Sequence, residues 1–113
     1  MQRIDAAAIE RLGIPRLLLM DHAGLAVARA VQTLATTPSR PILICSGTGF
    51  NGGDGLAAAR HLQARGYPLR LLLTGRLAQL REEPAIYATM LQRLGLPVTE
   101  LTEMKTLPQA DRM

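Results

Sequence analysis

The 113-residue chain has no tryptophan, one phenylalanine and two tyrosines, so it offers almost nothing on which the bases of a nucleic acid could stack. A single cysteine, Cys45, excludes an internal disulfide. It stands inside an apolar run, where burial as an inert thiol is the expectation. Lysine is reduced to Lys105, yet the net charge is +4, because twelve arginines join that lysine against nine acids. The arginines are scattered and form no basic run. With so few aromatics this argues against nucleic acid as a partner, and the basic balance says only that an anionic ligand would be tolerated. No apolar run reaches the length of a membrane span; Leu17-Leu18-Leu19-Met20 has four residues and Leu71-Leu72-Leu73 three. The N-terminal Met1-Gln2-Arg3-Ile4-Asp5-Ala6 lacks the basic-then-apolar layout of a signal peptide. No membrane association and a cytoplasmic location are therefore expected.

What is present suits one modest globular domain, with hydrophobic residues at 48%. A short helix is expected over 4–12, ended by Gly13, and a second from Pro15 to about Leu34. Met20, Gly24, Val27, Val31 and Leu34 recur at spacings of four and three, which predicts one shared face. Ala23, Ala26, Ala28 and Ala30 keep that helix slim. Residues 35–41 read as a loop. Ile42 to Cys45 is continuously apolar, the pattern of a parallel strand covered on both faces. A helix over 54–65 stopped by Gly66, a strand over 69–73, a helix from about Glu83 to Leu94 and a strand over 97–101 complete the order. Ile86, Met90 and Leu94 are expected in register on the last helix. Two βα units in series imply right-handed crossovers and a parallel sheet.

The chain is organised around Ile42-Leu43-Ile44-Cys45-Ser46-Gly47-Thr48-Gly49-Phe50-Asn51-Gly52-Gly53-Asp54-Gly55-Leu56. Strand, glycine loop and helix are how open α/β proteins bring backbone N–H groups to a phosphate. Gly47 to Gly52 matches G-x-G-x-x-G, but no acid closes the second strand at Thr74-Gly75-Arg76 to take a ribose, and no lysine follows the glycines as in a Walker loop. Gly52 and Gly53 can take positive φ and let the backbone curl into an anion-binding concavity. Asp54 reads as the cap of the following helix or as a ribose contact. Asn51 reads as a turn residue, with a neutral amide oxygen that also suits a hard cation.

Gly47-Thr48-Gly49-Phe50-Asn51-Gly52-Gly53-Asp54-Gly55-Leu56, with the following Ala57-Ala58-Ala59-Arg60-His61-Leu62, resembles the signature of NAD(P)H-hydrate epimerases, the YjeF N-terminal domain family. The family form is Gly-x-Gly-Asn-Asn-Gly-Gly-Asp-Gly-Leu. Upstream, Gly13-Ile14-Pro15 and Met20-Asp21-His22-Ala23-Gly24 are similar to the family's Gly-Ile-Pro and Met-Glu-Asn-Ala-Gly. The resemblance implies a Rossmann-like three-layer α/β/α fold with a parallel sheet, here a truncated one. It implies interconversion of the R and S epimers of hydrated NADH or NADPH, with a dehydratase repairing the S form. Phe50, Asn51, Gly52, Gly53 and Asp54 map to substrate binding, and Asn51 to a potassium ligand. A homodimer, with the second helix as its surface, is compatible with the family.

Phe50 replaces the first asparagine of the family loop, His22 that of the upstream block, and Asp21 its glutamate. His22 is either an acid or base near neutral pH or, the favoured reading, a helix-surface or packing residue; His61 reads as structural. The family's later Asp-Ala-Leu-Phe-Gly-Thr-Gly and Asp-Ile-Pro-Ser-Gly motifs do not occur in the sequence, and no residue is assigned as catalytic. Residues 1–113 are expected to be the N-terminal part of a single epimerase-like domain, with weak or no activity alone. A non-catalytic assembly module and an inactive fragment are the rival expectations.

Overall fold

A computed structural model describes residues 13–35 and 40–101 of the chain. The helix expected over 4–12, part of the loop over 35–41 and the tail over 102–113 lie outside the described residues. The element order is α1 (Arg16–Leu34), β1 (Ile42–Ser46), α2 (Phe50–Ala64), β2 (Leu69–Leu73), a short 3-10 turn (Leu77–Gln79), α3 (Glu82–Arg93) and β3 (Val98–Glu100). The strands form one parallel sheet in the order β1-β2-β3, with Ile44 beside Leu71 and Leu71 beside Val98. This is the expected Rossmann-like three-layer α/β architecture with a parallel sheet.

The helices stop where glycine allows it. At the end of α2, Gly66 has φ +86°; its N–H reaches Gln63 O at 3.0 Å, and the Tyr67 N–H reaches Leu62 O at 3.2 Å. α3 repeats the device, with Gly95 at φ +88° and the Leu96 N–H on Leu91 O at 2.9 Å. In both, a left-handed residue turns the chain back so that two otherwise orphaned carbonyls are satisfied, and the next strand starts at once.

The main core gathers Met20 from α1, Leu56 and Ala59 from α2, Leu71 and Leu73 from β2, and Tyr87 and Leu91 from α3. A smaller cluster joins Ala28, Leu62 and Tyr67, whose hydroxyl donates to Ala35 O at 2.8 Å. Two expected faces are corrected. On α1 the buried line is Met20, Gly24 and Ala28, whereas Val27 is exposed and Leu34 is 89% exposed. The line follows the close approach of α1 to α2: a Cβ on Gly24 would come within 2.7 Å of the Ala57 carbonyl carbon. Small residues, not the larger apolar ones, fit that crossing. On α3 the buried face is Pro84, Tyr87, Ala88 and Leu91, and Ile86 and Leu94 are exposed. Covering of β1 on both faces is corrected as well. Leu43 is 47% exposed and Cys45 is exposed, because β1 is an edge strand with burial that alternates along it.

One polar cluster sits among these helices. Asp21 Oδ1 on α1 accepts from Arg60 Nη2 at 3.0 Å and from the Tyr87 hydroxyl at 2.9 Å, and His61 Nε2 lies 3.2 Å from it. His61 Nε2 is also 3.2 Å from the Asp21 carbonyl oxygen. Arg60 Nη2 lies 3.5 Å from the same nitrogen, so the ring is enclosed by Asp21 and Arg60. His61 is thereby structural, as expected, and His22 is exposed on α1, the favoured reading for it. Burial works to raise the Asp21 carboxyl, but the hydrogen bonds from Arg60 and Tyr87 and the charges of His61 and Arg60 outweigh it and hold the group below its ordinary 3.8. Burial and the bond to Asp21 push the Tyr87 phenol well above its usual range, so it remains a donor.

Two outcomes follow from this packing. Gly24→Ala should lower the unfolding free energy in urea by about 2 kcal/mol through overpacking against the α2 backbone, and an unchanged midpoint would contradict the close crossing. A lowered folded-state carboxyl contributes stability that is full above the unfolded value and lost as pH falls through the folded one. Stability should therefore decline below about pH 4, and Asp21→Asn should flatten that decline; an identical acid slope in the variant would contradict the assignment.

Candidate functional site

β1 ends at Ser46, only three residues pass, and α2 begins at Phe50 with Gly49 as its extended N-cap. The first i→i−4 bond runs from the Gly53 N–H to Gly49 O at 3.3 Å. The N–H groups of Phe50, Asn51 and Gly52 precede it and have no partner within the helix. They stand at the positive end of the helix dipole, aimed beyond the C-terminal end of β1.

The reason for the glycines differs from the expected one. Gly52 and Gly53 are helical, and the positive-φ glycines among the described residues are Gly13, Gly66, Gly75 and Gly95. What the loop requires is absence of bulk. A Cβ on Gly52 would collide with the Gly47 carbonyl; one on Gly53 would lie 2.6 Å from Met20 Cε and 3.0 Å from Pro84 Cγ; one on Gly55 would lie 2.5 Å from Ser46 Oγ. The anion-binding feature is thus a helix N-terminus laid tightly over the strand end, with no left-handed backbone in it. The capping role of Asp54 is corrected for the same reason. Because α2 starts four residues earlier, Asp54 is in the helix body, and the N-cap position is held by Gly49, which has no side chain. Its charge bears on Tyr87. Asn51, read from its residue type as a turn, is helical and exposed.

An open pocket of about 550 Å³ lies against this turn, within the range of small-ligand sites. Its backbone walls are Gly47, Gly49, Gly52 and Gly55, and its side chains are Cys45, Ser46 and Asn51. Of the residues assigned to substrate by resemblance, Asn51 and Gly52 line the pocket. Phe50 contributes its backbone position at the start of α2, Gly53 is buried behind the pocket against Met20 and Pro84, and Asp54 is set one turn further on. Cys45 is corrected from a buried to an exposed thiol at the pocket wall. No carboxylate or imidazole is among the described residues that line it. The surface can therefore hold an anion by neutral amides but has no group poised for proton transfer.

A potassium ion needs oxygen ligands, and the amide oxygen of the exposed Asn51 is one. Ser46 lines the same pocket with its Oγ buried and without a hydrogen-bond partner. Among the described residues no cluster of three or more His, Cys, Asp or Glu exists that could hold a metal. The donor set present fits a hard, weakly held cation and does not fit zinc-type coordination.

Sequence reasoning missed Ser46 and Gly55 as pocket walls. It also missed the cluster at Asp21, whose partners Arg60 and Tyr87 are 39 and 66 residues away and so carry no local pattern.

The profile of the family described as YjeF-related protein N-terminus matches residues 16–112. An NAD(P)H-hydrate epimerase of Rhodopirellula baltica is 34% identical over 98% of this chain and 46% of its own length. A bifunctional NAD(P)H-hydrate repair enzyme, Nnr, of Pyrobaculum aerophilum is 51% identical over 67% of this chain and 14% of its own length. The chain is also similar to the crystal structure of yeast ynu0, YNL200c, with a TM-score of 0.79 and 27% identity over 93% of this chain and 46% of that one. It therefore spans about half the length of the epimerase and the solved structure, and less of the bifunctional enzyme.

The collision at Gly52 gives a direct check on the turn. Gly52→Ala should cost about 1–3 kcal/mol in urea unfolding despite alanine's better helix propensity. A stabilised variant would contradict the packing of α2 over Gly47.

Proposed function

The chain belongs to the family of YjeF-related protein N-termini, and from that membership we propose that its glycine-turn pocket binds hydrated NADH or NADPH as part of an NAD(P)H-hydrate epimerase. The observation that carries the proposal is the start of α2. Three backbone N–H groups without helical partners lie over a pocket that has no acid to repel a diphosphate. In this reading the diphosphate of the cofactor lies against the main chain of Phe50, Asn51 and Gly52, Gly53 backs that turn from behind, and Asp54, one turn further on, is the contact for a ribose hydroxyl. The Asn51 amide oxygen would hold a potassium ion, which when bound would offset negative charge beside the diphosphate. The cleft walls formed by Gly47, Gly49 and Gly55 admit the ligand close to the main chain, because none carries a side chain.

Epimerisation removes the hydroxyl from C6 of the reduced nicotinamide ring and returns it to the opposite face. One proton must reach the departing oxygen and another must leave the incoming water, which calls for an acid and a base. The described pocket wall supplies neither, Cys45 being its one titratable side chain. The 113-residue chain by itself is accordingly expected to bind the hydrate while epimerising it weakly or not at all. A functional link to an NAD(P)H-hydrate dehydratase follows from the bifunctional repair enzymes among its relatives. A homodimer through α1 and a cytoplasmic location belong to the same reading; no helix among the described residues is long and apolar enough to cross a membrane. The neutral pocket also favours a second reading, a non-catalytic assembly module.

Thermal denaturation with NADPH hydrate separates the two. A ligand at a hundredfold excess over its Kd should stabilise the chain by about 2.7 kcal/mol. That shift should need potassium and should be lost in Asn51→Ala. No shift with the hydrate, together with capture of a specific protein partner, would favour the assembly module and contradict the proposal.

A further inference from the structure

Three helices meet at Gly53, and the same three meet again at Asp21. At Gly53 the absent Cβ leaves room for Met20 of α1 and Pro84 of α3, which approach from two sides. At Asp21 one carboxylate oxygen receives Arg60 of α2 and Tyr87 of α3, with His61 of α2 at 3.2 Å. The two junctions are joined covalently on α1, where Met20 precedes Asp21. They are joined by helical repeat elsewhere. Gly53 and Arg60 are seven residues apart on α2, two turns along one face and about 10 Å, and Pro84 and Tyr87 are one turn apart on α3. Gly53 has no side chain with which to fix its own place, so its position is set by what presses on it.

We infer that Asp21 is a positioning residue for the glycine turn. By tying α1 and α3 to the body of α2 it keeps Met20 and Pro84 seated on Gly53, and so fixes the direction of the first-turn N–H groups that face the pocket. The inference deepens the proposed function and rests on it for the identity of the ligand. Asp21 touches no residue of the pocket wall and acts through Met20 and the two helices. The half-buried ion pair is well suited to this. Its two partners on α2, Arg60 and His61, are adjacent, and Tyr87 approaches from α3 with a hydroxyl kept protonated by burial and by the neighbouring carboxylate. The His61 bond to the Asp21 carbonyl holds the main chain of α1 as well as its side chain. A displacement of the donors by an ångström or less is enough to weaken a ligand held by directed N–H bonds.

The test compares Asp21→Ala, Asp21→Asn and Tyr67→Phe in the 113-residue chain, with ADP-ribose as the probe and at a temperature well below melting. Tyr67→Phe removes the bond to Ala35 O at the far end of α1 and serves as a control for lost stability alone. Asp21→Ala should weaken ADP-ribose about tenfold, Asp21→Asn should recover most of that because it keeps an acceptor oxygen, and Tyr67→Phe should leave affinity unchanged. Asp21→Ala binding as tightly as the parent chain, or Tyr67→Phe weakening it equally, would overturn the inference. The backbone amide resonances of Gly52 and Gly53, recorded without ligand, give a second readout. They should move in Asp21→Ala and stay in place in Tyr67→Phe; unmoved resonances in Asp21→Ala overturn the positioning role. Failure of the parent chain to bind ADP-ribose would sink the proposed function, while the amide resonances would still decide the role of Asp21.

Discussion

The structure depends on the space left by missing side chains in the first two turns of α2. Gly52 lies over the Gly47 carbonyl, Gly53 is pressed by Met20 and Pro84, and Gly55 meets Ser46 Oγ. Glycine inside a helix costs about 1 kcal/mol relative to alanine, and three of them occupy one short stretch. Contacts from β1, α1 and α3 offset that cost. In exchange the helix begins within three residues of the strand, and its unpaired N–H groups are held at the end of the sheet. A longer or bulkier connection would move those donors away from the strand end.

The described lining of the pocket carries no charged side chain. The pocket wall is amide, glycine and small side chains, whereas Asp21, Arg60, His61 and Tyr87 form their own half-buried cluster between the helices. The pocket thus presents main-chain groups at the start of α2, and the cluster ties three helices together. Leu43 and Cys45 are both exposed on β1, and Cys45 forms part of the pocket wall.

Much of the fold was legible in the sequence. Gly66 and Gly95 marked helix ends because a left-handed residue there has few substitutes. The strands over 42–46 and 69–73 were legible from continuous apolar character, and the parallel sheet from the βα alternation. The errors have physical causes. Val27 and Leu34 satisfied helical periodicity, but the crossing with α2 is close enough to select Gly24 and Ala28 instead. Cys45 and Leu43 looked buried because an edge strand and an inner strand of a parallel sheet read alike locally. The start of α2 was placed at Asp54 because glycines usually signal a loop and aspartate a cap. Only the third dimension shows that Gly52 and Gly53 are there for clearance. Of the site, Asn51 and Gly52 were found from the motif; Ser46, Gly55 and the Asp21 cluster depend on contacts between distant residues.

The most direct measurement of the central claim is a nitrogen–proton NMR titration of the chain with ADP-ribose in potassium buffer, read residue by residue. The account predicts that the largest amide shifts fall within residues 47–55, centred on Asn51 and Gly52, with α3 and the outer face of α1 silent. Shifts that cluster on the exposed faces of α1 or α3, or none at saturating ligand, would contradict it.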